Sequence, residues 1–416
     1  MAKAVTQIML DFPSYLRNPG LLRDAARKAR FMESHTQRQA AAKKPGVIIS
    51  TAGMCLHPDT FVQQEDGSCK KIGQVQGPVY SHENGEITVK EVSRILKKPS
   101  PKKVLKIRTA SGRITCTTDH KFLTLDGFTL AWKAAGELRT GSHVAVAKRI
   151  PFQGREQAIP IRIPKKKGRH IKKARLPKKT SPALAQFLGY FIGDGNIKNN
   201  KITFLTDKDE ENLKHYQKIA RSVFGVQGQI QIGSRKRLAI YSSRVARFLK
   251  AIEGNKSPHR TIPEFIQKSS QKSVAAFLRG LFDAEGTVSH STNRSVSAYS
   301  SSADIVHVTQ LLLLRFGLRS EIRTLKKAAN NKQYTWFSLR IHHPQELATF
   351  AQKIGFSSKA KRKKLKTLVS NIGGGYSHSD ILPLTKAALY ARIQTALGAK
   401  RIPWAFNKSH EVYGTN

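Results

Sequence analysis

Two nine-residue stretches decide the fold, FLGYFIGDG at Phe187–Gly195 and LRGLFDAEG at Leu278–Gly286. Aligned on each other, both have an apolar residue, any residue, a glycine, two apolar residues, any residue, a small residue, an acid and a glycine. The apolar and small residues recur at helical spacing. The pattern predicts two helices, at 182–193 and 271–284.

Small residues lie four positions apart in each stretch, Gly189 with Gly193 and Gly280 with Ala284. Residues four apart share one face of a helix, and a face without bulky side chains lets two backbones approach closely. We therefore expect the two helices to pack in parallel through these small faces. One such helix alone is ordinary close packing, but a matched pair in one chain favours a shared function.

An acid followed by glycine ends each stretch, as Asp194-Gly195 and Glu285-Gly286. Glycine often terminates a helix. Parallel packing would bring the two carboxylates together at the negative ends of both helices, where two like charges repel and require a cation. Mg²⁺ is the predicted metal because it prefers carboxylate and phosphate oxygens.

The chain of 416 residues has 73 Lys and Arg against 27 Asp and Glu, a net charge of +46. This excess predicts a polyanionic partner. Three cysteines are too few and too widely spaced for a disulfide framework or a four-cysteine zinc site. The sequence shows neither a secretory leader nor an apolar run of ~20 residues. We therefore expect a cytoplasmic protein that does not enter a membrane.

The paired stretches resemble the LAGLIDADG (dodecapeptide, DOD-type) homing endonucleases over roughly 181–365. The resemblance implies two similar αββαββα halves that form a saddle over double-stranded DNA, in a monomer with internal pseudo-twofold symmetry. It also implies that Asp194 and Glu285 are catalytic and hold Mg²⁺. One departure is Ile192, where many members carry an acid; the second stretch has Asp283 there.

The same resemblance implies a lysine near each acid. The local patterns favour Lys256, before IPEFI, and Lys361, within SSKAKRKKL. Between 148 and 179 the chain has thirteen Lys or Arg and a single acid, with four prolines, which indicates an extended basic linker. Phosphate contact is expected there and at 359–366, although a solvated charge run is the alternative. The candidate DNA-binding residues are Lys165, Lys166, Lys167, Arg169, Lys172, Lys173, Arg175, Lys359, Arg362 and Lys363.

From Cys55 to about residue 149, short β-prone runs alternate with Gly, Asn and Asp turn signals, which predicts an all-β module. Cys55 begins CLHPDTFV, and Thr117 and His120 later form a TxxH motif. These segments and GSHVAVAKRIP resemble the N-terminal splicing blocks of inteins with the Hint fold, although Ser142 replaces an acid usual in that family. The resemblance implies that the Cys55 thiol attacks the Met54 carbonyl, assisted by Thr117 and His120.

The predicted fold class is α+β multidomain, an all-β Hint-like module followed by the pseudo-twofold LAGLIDADG repeat. Residues 1–54 are expected to be a host fragment, because GVIISTAGM at 46–54 is similar to metallo-β-lactamase/β-CASP nucleases. The remaining predicted units are a splicing module at 55–150, a basic linker at 151–180, an endonuclease at 181–366 and a helical DNA-contacting region at 367–416. The sequence ends EVYGTN, without the His-Asn of a complete intein, so ligation of flanking sequences is not expected.

These residues predict a site-specific, Mg²⁺-dependent DNA endonuclease borne on an intein. Two alternatives stay open: a decayed insert that binds DNA without cutting it, favoured by Ile192, and an RNA-binding maturase, disfavoured by the Cys55 and TxxH motifs. A hydrolase of the host type would require metal ligands that the chain lacks. The base-reading side chains and the target sequence do not follow from sequence.

Overall fold

The computed structural model describes residues 55–83, 86–96, 104–109, 112–126, 129–164, 174–206, 209–233, 235–253, 260–290, 294–329 and 332–371. The host fragment predicted at 1–54, the lysine Lys256 and the basic residues at 165–173 lie outside these ranges. So does most of the C-terminal region predicted for 367–416.

The first described part of the chain is built of antiparallel hairpins. The pairs are β1 with β2, β3 with β4, β5 with β6 and β7 with β8. Between residues 55 and 150 the helical segments that the structure describes are two short 3-10 turns, at Ile72–Gln74 and Ala135–Glu137. This is the β-rich texture that the sequence predicts, and the Hint topology stays a prediction. The strands are β1 Phe61–Gln63, β2 Cys69–Lys71, β3 Val79–Glu83, β4 Glu86–Lys90, β5 Val104–Thr109, β6 Gly112–Thr117, β7 Lys121–Asp126 and β8 Thr129–Ala134.

The next part has the order αββαββα. Its first helix begins where predicted, because the Ser181 hydroxyl accepts a hydrogen bond from the Leu184 amide (3.3 Å) and Pro182 occupies the first turn. The helix runs one residue further than predicted, to Asp194. The elements are α1 Pro182–Asp194, β9 Gly195–Lys198, β10 Lys201–Thr206, α2 Glu210–Phe224, β11 Gln229–Gln231, β12 Lys236–Tyr241 and α3 Ser243–Glu253.

A short connecting helix, α4, leads into a second αββαββα half, which runs from α5 to α7. A basic helix, α8, follows it. The first helix of the second half is capped by the Ser270 hydroxyl, which accepts a hydrogen bond from the Ser273 amide (3.2 Å). The elements are α4 Glu264–Gln267, α5 Gln271–Glu285, β13 Gly286–Ser289, β14 Ser295–Ser300, α6 Ala303–Leu314, β15 Glu321–Ala329, β16 Lys332–Ile341, α7 Pro344–Lys353 and α8 Lys359–Ser370.

Each half contributes one four-stranded antiparallel sheet, in the orders β11-β12-β10-β9 and β13-β14-β16-β15. One face of each sheet packs into the helical core, through Phe204 and Leu238 in the first half and Val296 and Leu339 in the second. Because side chains alternate along a strand, the intervening residues lie on the opposite face. We call this opposite face of each sheet its open face.

Helices α1 and α5 touch backbone to backbone, as the small residues predict. A methyl group placed on Gly189 would lie 2.0 Å from the Phe277 carbonyl oxygen, and one on Gly280 would lie 2.1 Å from the Gln186 carbonyl oxygen. Such distances exclude any side chain at either position. The reciprocal contacts give the pseudo-twofold relation between the halves.

The hairpin β1-β2 is anchored to the second half by Arg315, at the C-terminal end of α6. The Arg315 side chain is 1% exposed and donates hydrogen bonds to the carbonyl oxygens of Gln267 and Gly67. Its guanidinium lies 4.3 Å from the centre of the Phe152 ring. The Cys69 amide also donates to the Gln267 side-chain oxygen (2.7 Å), so the β module and the helical part share a buried interface.

The described residues of the predicted linker pack against both units. Phe152 and Ile159 are buried, and the Glu156 carboxylate accepts hydrogen bonds from Ser270 (2.5 Å) and Ser273 (2.7 Å) at the start of α5. This packing differs from the extended linker that the basic composition predicts, because apolar residues lie among the charges and are buried. Among the helices that the structure describes, none combines the length and the apolar character needed to cross a membrane.

A candidate metal centre between two helix ends

The two acids sit at the last residues of α1 and α5, next to each other. A methyl group placed on Gly193 would lie 2.7 Å from Ala284 Cβ and 3.1 Å from Glu285 Cγ. The carboxylate-bearing side chain of α5 is thus pressed against the small face of α1, one residue before Asp194. The structure brings together the two residues that the sequence selects.

The glycines after the acids have a different role from the one expected. Gly195 and Gly286 have φ angles of −80° and −84°, which any residue adopts, so they are not left-handed helix stops. A methyl group on Gly195 would lie 2.4 Å from the Phe191 carbonyl oxygen, and one on Gly286 2.3 Å from the Phe282 carbonyl oxygen. Glycine is needed there because each helix passes directly into a strand with no room for a Cβ atom.

Glu285 has an unusual protonation equilibrium. Burial, followed by the negative charge of Asp194, raises the pKa of Glu285 to about 7, and the positive charges of Lys361 and Arg260 oppose the rise. The dependence on Asp194 shows that the two carboxylates feel each other's charge. A site with a carboxylate poised near neutral pH beside a second acid is typical of metal binding or of proton transfer.

Lys361, the lysine that the resemblance implies near the second acid, contacts the end of α5, and its catalytic role stays a prediction. Its Nζ donates hydrogen bonds to the carbonyl oxygens of Asp283 (2.6 Å) and Phe282 (3.2 Å), and burial lowers the pKa of Lys361. Its positive charge acts on Glu285 from a fixed position.

Sequence reasoning missed the basic residue of the first half, Arg260. Its Nη1 donates to the carbonyl oxygen of Ile192 (3.2 Å), the residue that corresponds to Asp283 in the alignment of the two stretches. Arg260 and Lys361 therefore hold pseudo-equivalent places. A signal was available: Arg260 lies seven residues after the end of α3, and Lys361 eight residues after the end of α7.

Asp283 supports the site and does not face it. Its carboxylate is 3% exposed and accepts hydrogen bonds from the Tyr216 hydroxyl (2.8 Å) and from the amides of Ser357 (2.8 Å) and Ser358 (3.3 Å). These bonds fix the start of α8, the helix that carries Lys361. Ile192, the counterpart of Asp283, is buried among apolar residues, so its lack of an acid removes this support and not a metal ligand.

The donor set suits a hard divalent cation that keeps part of its water shell. The side-chain ligands on offer are the oxygens of Asp194 and Glu285, and in the part of the chain that the structure describes no group of three or more His, Cys, Asp or Glu residues adds to them. Mg²⁺ commonly binds proteins through one or two carboxylates, with water and phosphate oxygens completing its shell. The mutual repulsion of the two acids fits such an ion.

The predicted DNA-binding residues that the structure describes lie in two places. Arg175 is exposed at the C-terminal end of α2, where its amide donates to the Phe224 carbonyl oxygen (2.8 Å), on the helical side of the first sheet. Lys359, Arg362 and Lys363 are exposed on α8. The other candidates, Lys165, Lys166, Lys167, Arg169, Lys172 and Lys173, lie outside the described residues.

A second cluster forms around Cys55. The Cys55 amide donates to the Thr117 hydroxyl (2.9 Å), and the Thr117 amide donates to the Cys55 carbonyl oxygen (3.0 Å). His120 follows in the same turn, its amide donating to the Thr117 carbonyl oxygen (3.2 Å). Burial lowers the pKa of His120, and its Nδ1 is buried without a hydrogen-bond partner in the described part of the chain. The structure brings all three residues together, as the sequence predicts, while their roles stay predictions.

Comparison with known proteins bears on the helical part. Residues 181–253 and 272–355 match the family described as the LAGLIDADG-like domain. The helical part of the chain is thus similar to a LAGLIDADG-like domain. The two matched segments coincide with the two halves, each beginning at the helix that ends in an acid. A crystal structure of I-DmoI G20S with its target DNA and magnesium is similar over 42% of this chain and 96% of that one, at 16% identity and a TM-score of 0.32.

Curated relatives match the chain almost from end to end. Glutamine–fructose-6-phosphate aminotransferase of Methanocaldococcus jannaschii is 24% identical over 89% of this chain and 40% of its own length. The replication factor C small subunit of the same organism is 26% identical over 88% of this chain and 19% of its own length. The chain thus spans less than half of either relative, and the shared part includes both the LAGLIDADG-like domain and the β module.

Proposed function

We propose that this protein is a metal-dependent endonuclease of double-stranded DNA, of the homing type. The observation that carries the proposal is the acid pair, Asp194 and Glu285, held at the ends of two helices that touch through glycine. The LAGLIDADG-like match and the net charge of +46 support a polyanionic substrate. A Mg²⁺ ion bound by the two carboxylates would activate water and neutralise charge at the scissile phosphate.

The residues of the chain itself have separable tasks in this proposal. Glu285, with its pKa of about 7, exchanges a proton for the metal near neutral pH. Lys361 and Arg260 place positive charge next to the acids while their hydrogen bonds to helix carbonyls hold them in position. Such preorganised charges stabilise a phosphorane-like transition state without rearranging during the reaction.

The open faces supply the surface for the double helix. In the first half the open face carries Asn196 and Lys198 on β9, Gln229 on β11 and Arg237 on β12. Amide and guanidinium groups make paired hydrogen bonds to adenine and guanine in the major groove, so this face is suited to base reading. The basic residues predicted earlier, apart from Arg175 on the helical side of the first sheet, would contribute phosphate contacts, which add affinity but carry no sequence information.

The LAGLIDADG-like domain and the β module together fit an element inserted into host proteins. An aminotransferase and a replication factor subunit share no named activity, yet both contain a segment similar to this chain. A segment common to such different proteins is best explained as a mobile insert. This supports the intein interpretation, with the β module as its N-terminal splicing part.

The second proposed activity is self-cleavage at Cys55. The Cys55 Sγ would attack the Met54 carbonyl carbon, the C–N bond would break as a C–S bond forms, and the thiol proton would pass to the new amino group of Cys55. The hydrogen bond from the Cys55 amide to Thr117 favours this shift because it restrains the amide that becomes the leaving amine. His120, half-buried and in the same turn as Thr117, would transfer the proton.

Endonuclease activity is tested with a randomised duplex library incubated with the full chain and Mg²⁺. We expect enrichment of one cleaved sequence, and no cleavage with EDTA. The double variant Asp194→Asn with Glu285→Gln should still bind that sequence. Binding without cleavage by the native chain would favour the decayed DNA-binding insert, and a preference for RNA duplexes would favour the maturase.

Self-cleavage is tested by treating the full chain with a thiol and measuring the mass of the products. We expect release of residues 1–54 as a thioester-derived fragment, and no release from Cys55→Ala. Cys69→Ala is the matched control, because Cys69 is buried at the interface with Gln267 and takes no part. Equal release from both variants would contradict the assignment of Cys55.

A further inference from the structure

The open face of the second half carries large apolar side chains. Tyr299, Leu325, Tyr334 and Trp336 are each 40–41% exposed, and we call these four residues the aromatic patch. Leu325 lies directly opposite Trp336 in the β15-β16 pair. The rings of Tyr334 and Trp336 stack at 6.2 Å with an angle of 16° between their planes. The patch therefore forms one continuous apolar surface on three neighbouring strands.

The aromatic patch is continuous with the candidate metal centre. A cleft of about 470 Å³ is lined by Tyr299, Leu325 and Trp336 on one side and by Arg260 and Glu285 on the other. A partner that covers the patch therefore also reaches Glu285.

Cations border the aromatic patch on the same face. Arg323 lies two residues from Leu325 on β15, and Arg340 lies four residues from Trp336 on β16. The Nε of Arg323 pairs with Glu321 (2.8 Å). A surface of this composition suits a polyanion that exposes apolar groups to it.

The open face of the first half is different. Its one large exposed aromatic residue in the described strands, Tyr241, accepts a hydrogen bond from the Gln231 side chain (3.1 Å) and lies 5.4 Å below the Lys201 Nζ. Lys201 also donates to the Gln231 oxygen (3.1 Å). Polar side chains therefore dominate that surface, whereas apolar ones dominate the aromatic patch.

We propose that the aromatic patch binds thymine 5-methyl groups in the major groove of double-stranded DNA, so that the two halves read different features of the bases. The inference rests on the proposed function and specifies its substrate. In the major groove the thymine methyl is the apolar group that distinguishes one base pair from another. RNA carries uracil, which lacks this methyl, so the patch also selects DNA over RNA.

The test replaces thymine by deoxyuridine in the sequence enriched from the library, first in one half of the site and then in the other. Deoxyuridine keeps base pairing and removes only the methyl group. We expect affinity to fall about four-fold for each methyl lost over the second half, as ~0.8 kcal/mol per buried carbon group predicts. Over the first half the change should stay below about two-fold.

Two exposed-residue variants assign the effect to the patch. With Leu325→Ser and Trp336→Ser together, the cost of deoxyuridine should disappear. With Tyr241→Ser in the other sheet as the matched control, it should persist. Each variant is compared with itself on the two DNAs, so a uniform loss of affinity does not count as an effect of the methyl groups, and the native-chain result stands whether or not a variant folds.

The outcomes separate this inference from the proposed function. A chain that enriches no duplex overturns both. Enrichment of a duplex whose uracil form binds equally well overturns the inference alone, as does equal binding of the matching RNA duplex. Loss of the deoxyuridine effect in Tyr241→Ser, with its retention in the patch variant, also overturns it, because the methyl groups would then lie on the first half.

Discussion

The two halves of the LAGLIDADG-like domain share an αββαββα order and an acid at the same place on one helix, but their surroundings differ. The acid of the second half is supported by Asp283 and Lys361, whereas the corresponding residues of the first half are Ile192 and Arg260. Both halves therefore contribute alike to the helix contact, while different residues surround the acid in each half. Under the proposed function, this single polypeptide would present two unlike half-sites to one asymmetric DNA.

The largest expected effect comes from the acids, where the halves are most alike. Asp194→Asn and Glu285→Gln, made singly, should each lower double-strand cleavage by about 10³-fold or more, because a metal ligand provides several kcal/mol of charge stabilisation. Plasmid cleavage with quantified nicked and linear products measures this. If only one of the two variants accumulates nicked circles, the halves act separately and the shared site is wrong.

The helix contact gives the next largest effect, and it should be symmetric. Gly189→Ala and Gly280→Ala each place a methyl group about 2 Å from a backbone oxygen, so each should destabilise the fold by about 3 kcal/mol. Thermal unfolding should show a drop of roughly 6–12 °C. Gly73→Ala is the matched control, since a methyl group there meets no atom within 4 Å. Unequal losses would show that the halves do not contribute equally to the contact.

The basic residues should distinguish the halves. Lys361→Met should lower the cleavage rate by roughly 10- to 100-fold, as expected for a charged hydrogen-bond donor. Arg260→Met should have a smaller effect, because the Arg260 side chain also pairs with Glu253. Both variants should shift the pH dependence of cleavage to higher pH, since each removes a charge that opposes the raised pKa of Glu285. Lys361→Arg and Arg260→Lys are the controls; an unshifted profile in Met variants would contradict the assignment.

The smallest effect concerns stability against pH in the metal-free protein. The folded pKa of Glu285, about 7, exceeds the ordinary value of 4.5, so the folded state binds the extra proton. This contribution to stability is complete below about pH 4.5, falls as the pH rises, and is lost above about pH 7. Between these pH values the free energy of unfolding falls by at most about 1.4 kcal/mol per pH unit through this group. We expect urea unfolding in EDTA, measured from pH 5 to pH 8, to show a smaller fall of the free energy of unfolding in Glu285→Gln than in the native chain. An equal fall in both would show that another group takes up the proton.

Sequence reasoning identified what local patterns encode. The cap at Ser181, the glycine contacts and the placement of an acid at the end of each helix all depend on residues only a few positions apart. The structure has each of these features where the local pattern puts it. Arg260 was not found because its closeness to Glu285 and to the end of α1 depends on how the chain returns after α3. The burial of Asp283 was missed for the same reason, as its partners Ser357 and Ser358 are more than seventy residues away. The open faces became visible only with the strand register.

Arg315 links the stability of the β module to the presence of the helical part. Its guanidinium fills a space between the carbonyl oxygen of Gly67 in the hairpin, the ring of Phe152 and the carbonyl oxygen of Gln267 at the end of α4. A variant that lacks the helical part loses α6 and with it this cation, leaving the carbonyl oxygen of Gly67 and the ring of Phe152 newly exposed. Versions of the chain trimmed to the β module therefore need a compensating change around Gly67 and Phe152.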